Sequence, residues 1–178
     1  MPLSLTNKKV LMVVAPENFR DEELVEPRKA LEKEGAKVVL ASTRPGLATG
    51  MLGLQVKPDL LLEHAKASDY DGVVVVGGIG SPEHLWGNMA LHALLKDRVN
   101  AGKVVGAICL SGAALARAGV AKGKRITCWP SPEAISTVRE CGAVYEKYRV
   151  VVDGRIVTAD GPPAAREFGE AVVRALSG

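Results

Sequence analysis

Several things are scarce in this 178-residue chain, and each scarcity closes off a class of function. Long apolar runs are missing: stretches such as the four valines 73–76 fall far short of the ~20 residues needed to cross a bilayer. Lys8-Lys9 followed by VLMVVA has the outline of a secretion leader. Pro16 and the charged ENFRDEE end it without a small-residue cleavage site, so it reads as a first core strand. Cysteine is limited to Cys109, Cys128 and Cys141, an odd number without C-x-x-C spacing. That excludes a disulfide framework and a zinc site, and fits a reducing cytoplasm. Charge of one sign is not in excess either. The 23 basic and 20 acidic residues are interspersed, the net charge is +3, and KGKR at 122–125 is the densest basic cluster, which argues against a nucleic-acid partner. There is no repeat, low-complexity tract or linker. The expectation is one domain over 1–178, large enough to bury a core without covalent staples.

What is present is an alternation of short apolar segments with amphipathic ones. KKVLMVVA, DEELVEPRKALEKEG and AKVVLAS read as strand, helix and strand, with Gly35 closing the helix. TGMLGLQVKP is punctuated by glycine and predicts a short hairpin or extended excursion. DGVVVVGG is a fully buried strand running into a Gly-Gly turn. A helix over 88–100, a central strand in KVVGAIC, a helix ending near Gly119, and RITC follow. A helix over 132–140, a hairpin YRVVVDGRIVTA turning at Asp153-Gly154, and a terminal helix in PAAREFGEAVVRAL complete the chain. The pattern predicts a mostly parallel sheet covered on both faces. Ligands bind such sheets beyond the carboxyl ends of the strands, so 17–23, 77–84 and 109–112 are the segments of interest.

In VVGAICLSGAALARAG a β-branched strand breaks into a helix of small residues, which puts Cys109 at a sharp strand-to-helix turn. A helix start favours thiolate and can lower a cysteine's pKa, making it a nucleophile near neutral pH. The spacing alone leaves open the alternative of a small buried hydrophobe.

VVVVGGIGSPEHL, GAICLSGAALARAG, TCWPSPEAI and VVVDGRIVTADGPP together resemble the ThiJ/PfpI superfamily, from about Lys8 to Ala175. That superfamily includes intracellular cysteine peptidases and a parkinsonism-associated protein described as a deglycase. The resemblance implies a flavodoxin-like three-layer α/β sandwich with the cysteine on a nucleophile elbow. It implies Cys109 as nucleophile and Glu23, in EELVEP, as the buried carboxyl that bonds to its sulfur and shuttles a proton. Without the resemblance, Glu23 reads as a solvated carboxylate among Asp21, Glu22 and Glu26. Gly77 and Gly78 match the family's Gly-Gly turn, and the N–H of Gly78 with that of Leu110 would form an oxyanion hole. Trp129 and Glu83 resemble pocket residues of the peptidase branch, and His84 is the one histidine near the segments of interest.

The sequence also departs from the family. Peptidase-like members carry histidine directly after the cysteine, where this chain has Leu110, and Trp129 stands where the deglycase-like branch has a histidine. An amide leaving group needs a proton donor, whereas reactive carbonyls are less demanding. Three readings follow: a glyoxalase- or deglycase-like stress enzyme acting on small-molecule carbonyls, a sensor whose Cys109 is oxidised without turnover, and a cysteine peptidase. No metal or other cofactor is expected. His84 and His92 are too weakly arranged for a metal site, and self-association as a dimer or larger homo-oligomer is implied by the resemblance.

Overall fold

β-Branched runs too short for helices and too apolar for a surface become central strands, and they set the frame here. The computed structural model describes residues 3–178. In chain order the elements are β1 (Lys9–Val13), β2 (Glu17–Phe19), α1 (Asp21–Lys33), β3 (Lys37–Ser42), β4 (Ala48–Gly50), β5 (Gln55–Val56), β6 (Leu60–Leu61), β7 (Gly72–Val75), α2 (Ser81–His84) and α3 (Met89–Asn100). They continue with β8 (Val104–Ile108), α4 (Gly112–Arg117), β9 (Arg125–Ile126), α5 (Pro132–Glu140), β10 (Val144–Tyr145), β11 (Val150–Asp153), β12 (Ile156–Ala159) and α6 (Ala165–Ser177).

Among the described residues the main sheet has seven strands in the order β11-β12-β8-β7-β1-β3-β6, parallel except for β11. Every residue of β7 and β8 is buried, as expected of strands covered on both faces. One face carries α1 and α6, packing Met12, Phe19, Leu24, Leu31, Phe168 and Val172. The other carries α3, α4 and α5, packing Leu11, Val73, Leu91, Leu95, Leu115 and Val138. The three-layer α/β sandwich is therefore as expected, and the helix over 132–140 and the hairpin strands β11 and β12 fall where the sequence places them. RITC forms only a two-residue strand, pairing with β10 in a separate ribbon. No helix among the described residues is long and apolar enough to cross a membrane.

Register aligns the carboxyl ends. Val13 pairs with Val75 and Val75 with Ala107, so the segments after β1, β7 and β8 emerge side by side. The chain passes from β1 to β3 on one side and returns to β7 on the other, which makes the β1–β7 boundary the switch point.

The TGMLGLQVKP excursion is the hairpin β4–β5, joined by β2 into a small sheet. Asp21 secures it to the start of α1. Its buried carboxylate accepts the N–H groups of Leu52 at 3.0 Å and Leu54 at 2.9 Å. Asp21 is thus not the solvated helix-face carboxylate its neighbours suggested. The hairpin in turn fixes where α1 begins, two residues before Glu23. Asp21→Ala strands both N–H groups and is expected to lower unfolding free energy by about 2 kcal/mol. Urea denaturation measures the loss, and faster amide exchange at Leu52 and Leu54 locates it.

Candidate active site

The turn after β8 bends sharply. Ile108 is extended at φ −129°, Cys109 has φ 61°, and a 3₁₀ turn over Cys109–Ser111 leads into α4. A left-handed conformation at a residue with a Cβ costs about 1–3 kcal/mol and persists only where its surroundings enforce it. Here they do: the Cys109 carbonyl accepts the Trp129 N–H at 3.0 Å, and its side chain is packed to 6% exposure. The backbone N–H groups of Leu110 and Gly78 are near enough to the sulfur to favour its thiolate.

Glu23 reaches the same spot from the first turn of α1. It is 0% exposed, and neither carboxyl oxygen has a hydrogen-bond partner of ordinary geometry. The Cys109 thiol and the Gly77 N–H are near enough to bias its proton affinity. The solvated reading of Glu23 is therefore wrong: the helix turns this carboxyl inward while Glu22 pairs outside with Arg20 at 2.7 Å. Gly77 makes room for the encounter. A Cβ there would lie 2.5 Å from Glu23 Oε1 and from the Ile108 carbonyl oxygen, and 2.6 Å from Cys109 Cβ. Gly78 follows at φ +113°, where a side chain would strike the Asn18 carbonyl at 2.4 Å.

Two buried acids in contact cannot both ionise cheaply. Burial pushes the Glu23 carboxyl up to about 8. Burial first, and then the charge of Glu23, push the Cys109 thiol up against the pull of the Leu110 and Gly78 N–H groups. A thiol depressed by the helix start is thus not what the structure contains, because burial outweighs a six-residue helix. Near neutral pH the resting pair therefore keeps both protons, and the thiolate forms when the sulfur's proton leaves while the carboxyl's stays. When that proton sits on Glu23, the repelling charge is gone and the sulfur faces a carboxylic acid and two backbone donors.

The other expected site residues divide into two groups. Trp129 and Leu110 adjoin the elbow: Trp129 is 42% exposed with its indole against Gly161, and the half-buried Leu110 offers its carbonyl to Trp86 Nε1 at 2.8 Å. Glu83 and His84 belong to another cluster. His84 Nε2 lies 3.3 Å from Glu17 Oε1, 3.4 Å from Arg44 and 3.7 Å from Glu83. The ligand atoms of Glu17, Glu83 and His84 lie within 4.8 Å of one another, a grouping sequence spacing missed and one that could hold a cation. Arg44, 3.0 Å from Glu17, already supplies positive charge there and holds the Glu17 carboxyl below its usual range. Cys128 is fully buried, its thiol pushed up to about 12 by burial and then by Asp160. His92 bonds to the Trp86 carbonyl at 2.8 Å. The 500 Å³ cleft between α1 and α6, lined by Lys29, Lys33, Arg166 and Glu170, includes neither Cys109 nor Glu23.

Residues 8–175 match the model of the DJ-1/PfpI family. The chain belongs to this family. It is 49% identical over 173 residues to the uncharacterized protein MJ0967 of Methanocaldococcus jannaschii, covering 97% of this chain and 84% of that protein. It is 33% identical over 154 residues to a Pyrococcus horikoshii protein named deglycase PH1704, covering 86% and 90%. Among solved structures, a ThiJ/PfpI domain protein from Brachyspira murdochii superposes with a TM-score of 0.89 at 37% identity, covering 94% and 95%. The mixed α/β fold with its mostly parallel sheet is the one found in these structures.

The elevated Glu23 has a consequence for stability. Between the ordinary carboxyl value of 4.5 and about 8, the folded protein holds a proton on Glu23 that the unfolded chain has released. Raising pH through that window therefore favours unfolding. Urea midpoints for the parent are expected to fall from pH 5 to pH 8, and Glu23→Gln, which carries no titrating proton, to flatten that decline.

Proposed function

We propose that this DJ-1/PfpI protein is a cysteine-dependent enzyme that acts on reactive carbonyls, in the manner of a glyoxalase or deglycase, with Cys109 as nucleophile and Glu23 as proton shuttle. The observation that carries the reading is the juxtaposition of Cys109 with a fully buried, unpartnered Glu23 carboxyl, beneath two convergent N–H donors. The names of relatives point the same way: the Pyrococcus horikoshii deglycase, and a Caenorhabditis elegans protein named glutathione-independent glyoxalase DJR-1.2, 29% identical with 96% and 90% coverage.

With a 2-oxoaldehyde, the Cys109 sulfur bonds to the aldehyde carbon and the carbonyl electron pair moves onto oxygen, where the Gly78 and Leu110 N–H groups receive it. Glu23 gives that oxygen its proton and becomes a carboxylate. As base, the carboxylate takes the hydrogen of the former aldehyde carbon as a proton and gives it to the ketone oxygen, forming an enediol; it then takes the proton of the first hydroxyl and gives it to the former ketone carbon. One carbon is oxidised and its neighbour reduced, leaving a thioester of a 2-hydroxy acid with no outside oxidant. Water cleaves the thioester and restores the thiol, so the sum is 2-oxoaldehyde plus water giving a 2-hydroxy acid. Every proton transfer uses one group, which fits a site where Leu110 replaces a second base.

The same residue counts against amide hydrolysis, since leucine cannot protonate an amine leaving group. Oxidation of Cys109 without turnover is the second reading. A Toxoplasma gondii DJ-1 structure described as oxidized, 30% identical with 95% and 90% coverage and a TM-score of 0.82, favours keeping it in view. Self-association and a cytoplasmic setting belong to the same proposal.

Methylglyoxal turnover, followed as 2-hydroxy acid formed, is the test. Cys109→Ala should abolish it, and Glu23→Gln should lower kcat by roughly 10²–10⁴-fold with the fold retained. Turnover that survives Cys109→Ala sinks the enzyme reading, and peroxide-dependent mass gain at Cys109 in a protein without turnover favours the sensor.

A further inference from the structure

Two serines beside the elbow are buried. Ser81 is the first residue of α2, and Ser111 stands at the N-cap of α4, where a hydroxyl usually accepts a backbone N–H. Ser111 makes no such bond. Instead Ser81 Oγ and Ser111 Oγ lie 2.7 Å apart, Ser111 Oγ lies 2.6 Å from the Val76 carbonyl oxygen, and both residues are 0% exposed. A carbonyl only accepts, so Ser111 spends its single proton on Val76, and Ser81 must be the donor to Ser111. The direction of the relay is thereby fixed: Ser81 to Ser111 to Val76, the residue after β7.

This relay closes the 76–81 loop at both ends on one side chain, two residues beyond Cys109. Inside the loop sits the Gly78 N–H; next to Ser111 sits the Leu110 N–H. These are the two donors whose nearness favours the Cys109 thiolate. Trp86 Nε1, on the Leu110 carbonyl at 2.8 Å, holds the elbow from its other side. We propose that Ser81 and Ser111 are positioning residues that keep the Gly78 and Leu110 N–H groups beside Cys109. The proposal rests on the reading of Cys109 as the reactive centre.

Removing Ser111 alone strands both the Ser81 proton and the buried Val76 carbonyl, removing Ser81 alone leaves the Ser111–Val76 bond in place, and removing both leaves only the carbonyl short of a donor. Stability and positioning therefore separate. The experiment measures the pH dependence of iodoacetamide alkylation at Cys109, resolved by mass spectrometry, together with urea midpoints, for the parent, Ser81→Ala, Ser111→Ala, the double variant and Ser111→Thr. Ser111→Ala should lose the most stability and Ser81→Ala less, and the double variant should recover part of the Ser111→Ala loss. All three alanine variants should alkylate more slowly near neutral pH, by about tenfold if one N–H contact to the thiolate is lost, with the profile moved to higher pH. Ser111→Thr, which keeps the hydroxyl, should stay near the parent. A folded double variant whose profile coincides with the parent's overturns the positioning role alone. A parent Cys109 inert at every pH overturns this proposal and the carbonyl reading together.

Discussion

A carboxyl group sealed from water, with no ordinary hydrogen-bond partner, against a cysteine sulfur is the constraint on which the rest of this structure depends. Left to itself such a group would cost several kcal/mol or draw in solvent. Here it remains neutral and dry because three separate elements converge on it. Asp21 ties the start of α1 to the β4–β5 hairpin and so sets where Glu23 enters. The missing side chain at Gly77 leaves the space the carboxyl occupies. The left-handed turn at Cys109 is held by its carbonyl bond to Trp129.

These supports lie in distant parts of the sequence and meet through strand register. Because β1, β7 and β8 end level with one another, the segments that follow them form one rim, and small shifts in any strand would move the acid, the glycines or the thiol apart. The two apolar layers fix that register: residues alternating along β1 pack Met12 toward α1 and α6, and Leu11 toward α3. The core is thus the alignment device for the chemistry, and the Glu17–Arg44–His84 cluster on the outer side of the rim is a separate surface feature.

Much of the fold was legible because its signals are local. The Pro132–Glu140 helix announces itself by Ser131 and Pro132, and the β11–β12 hairpin by Asp153-Gly154, so both appear where periodicity puts them. Cys109 was legible as a turn residue because a buried strand breaks there into small side chains. Glu23 was not legible from its own surroundings: Asp21, Glu22 and Glu26 make it look like one charge on a solvated helix face, and only the family resemblance singled it out. The inward turn of Asp21, the Ser81–Ser111 contact and the approach of Glu17 to His84 are made across 31, 30 and 67 residues respectively. No local pattern encodes such encounters. The state of the thiol was misread for a related reason: a helix start is visible in sequence, but the depth of burial that outweighs it is not.

The bend at Cys109 carries an implication about what selection for robustness alone would do here. A glycine at that position would relax the backbone, and an amide at 23 would remove the titration that weakens the fold as pH rises. Each change moves the protein toward greater thermodynamic security and away from chemistry, so durability and reactivity are set against each other at the same two residues. A heat-hardened variant of this protein obtained without a screen for reactivity would have its easiest gains at the centre of the site.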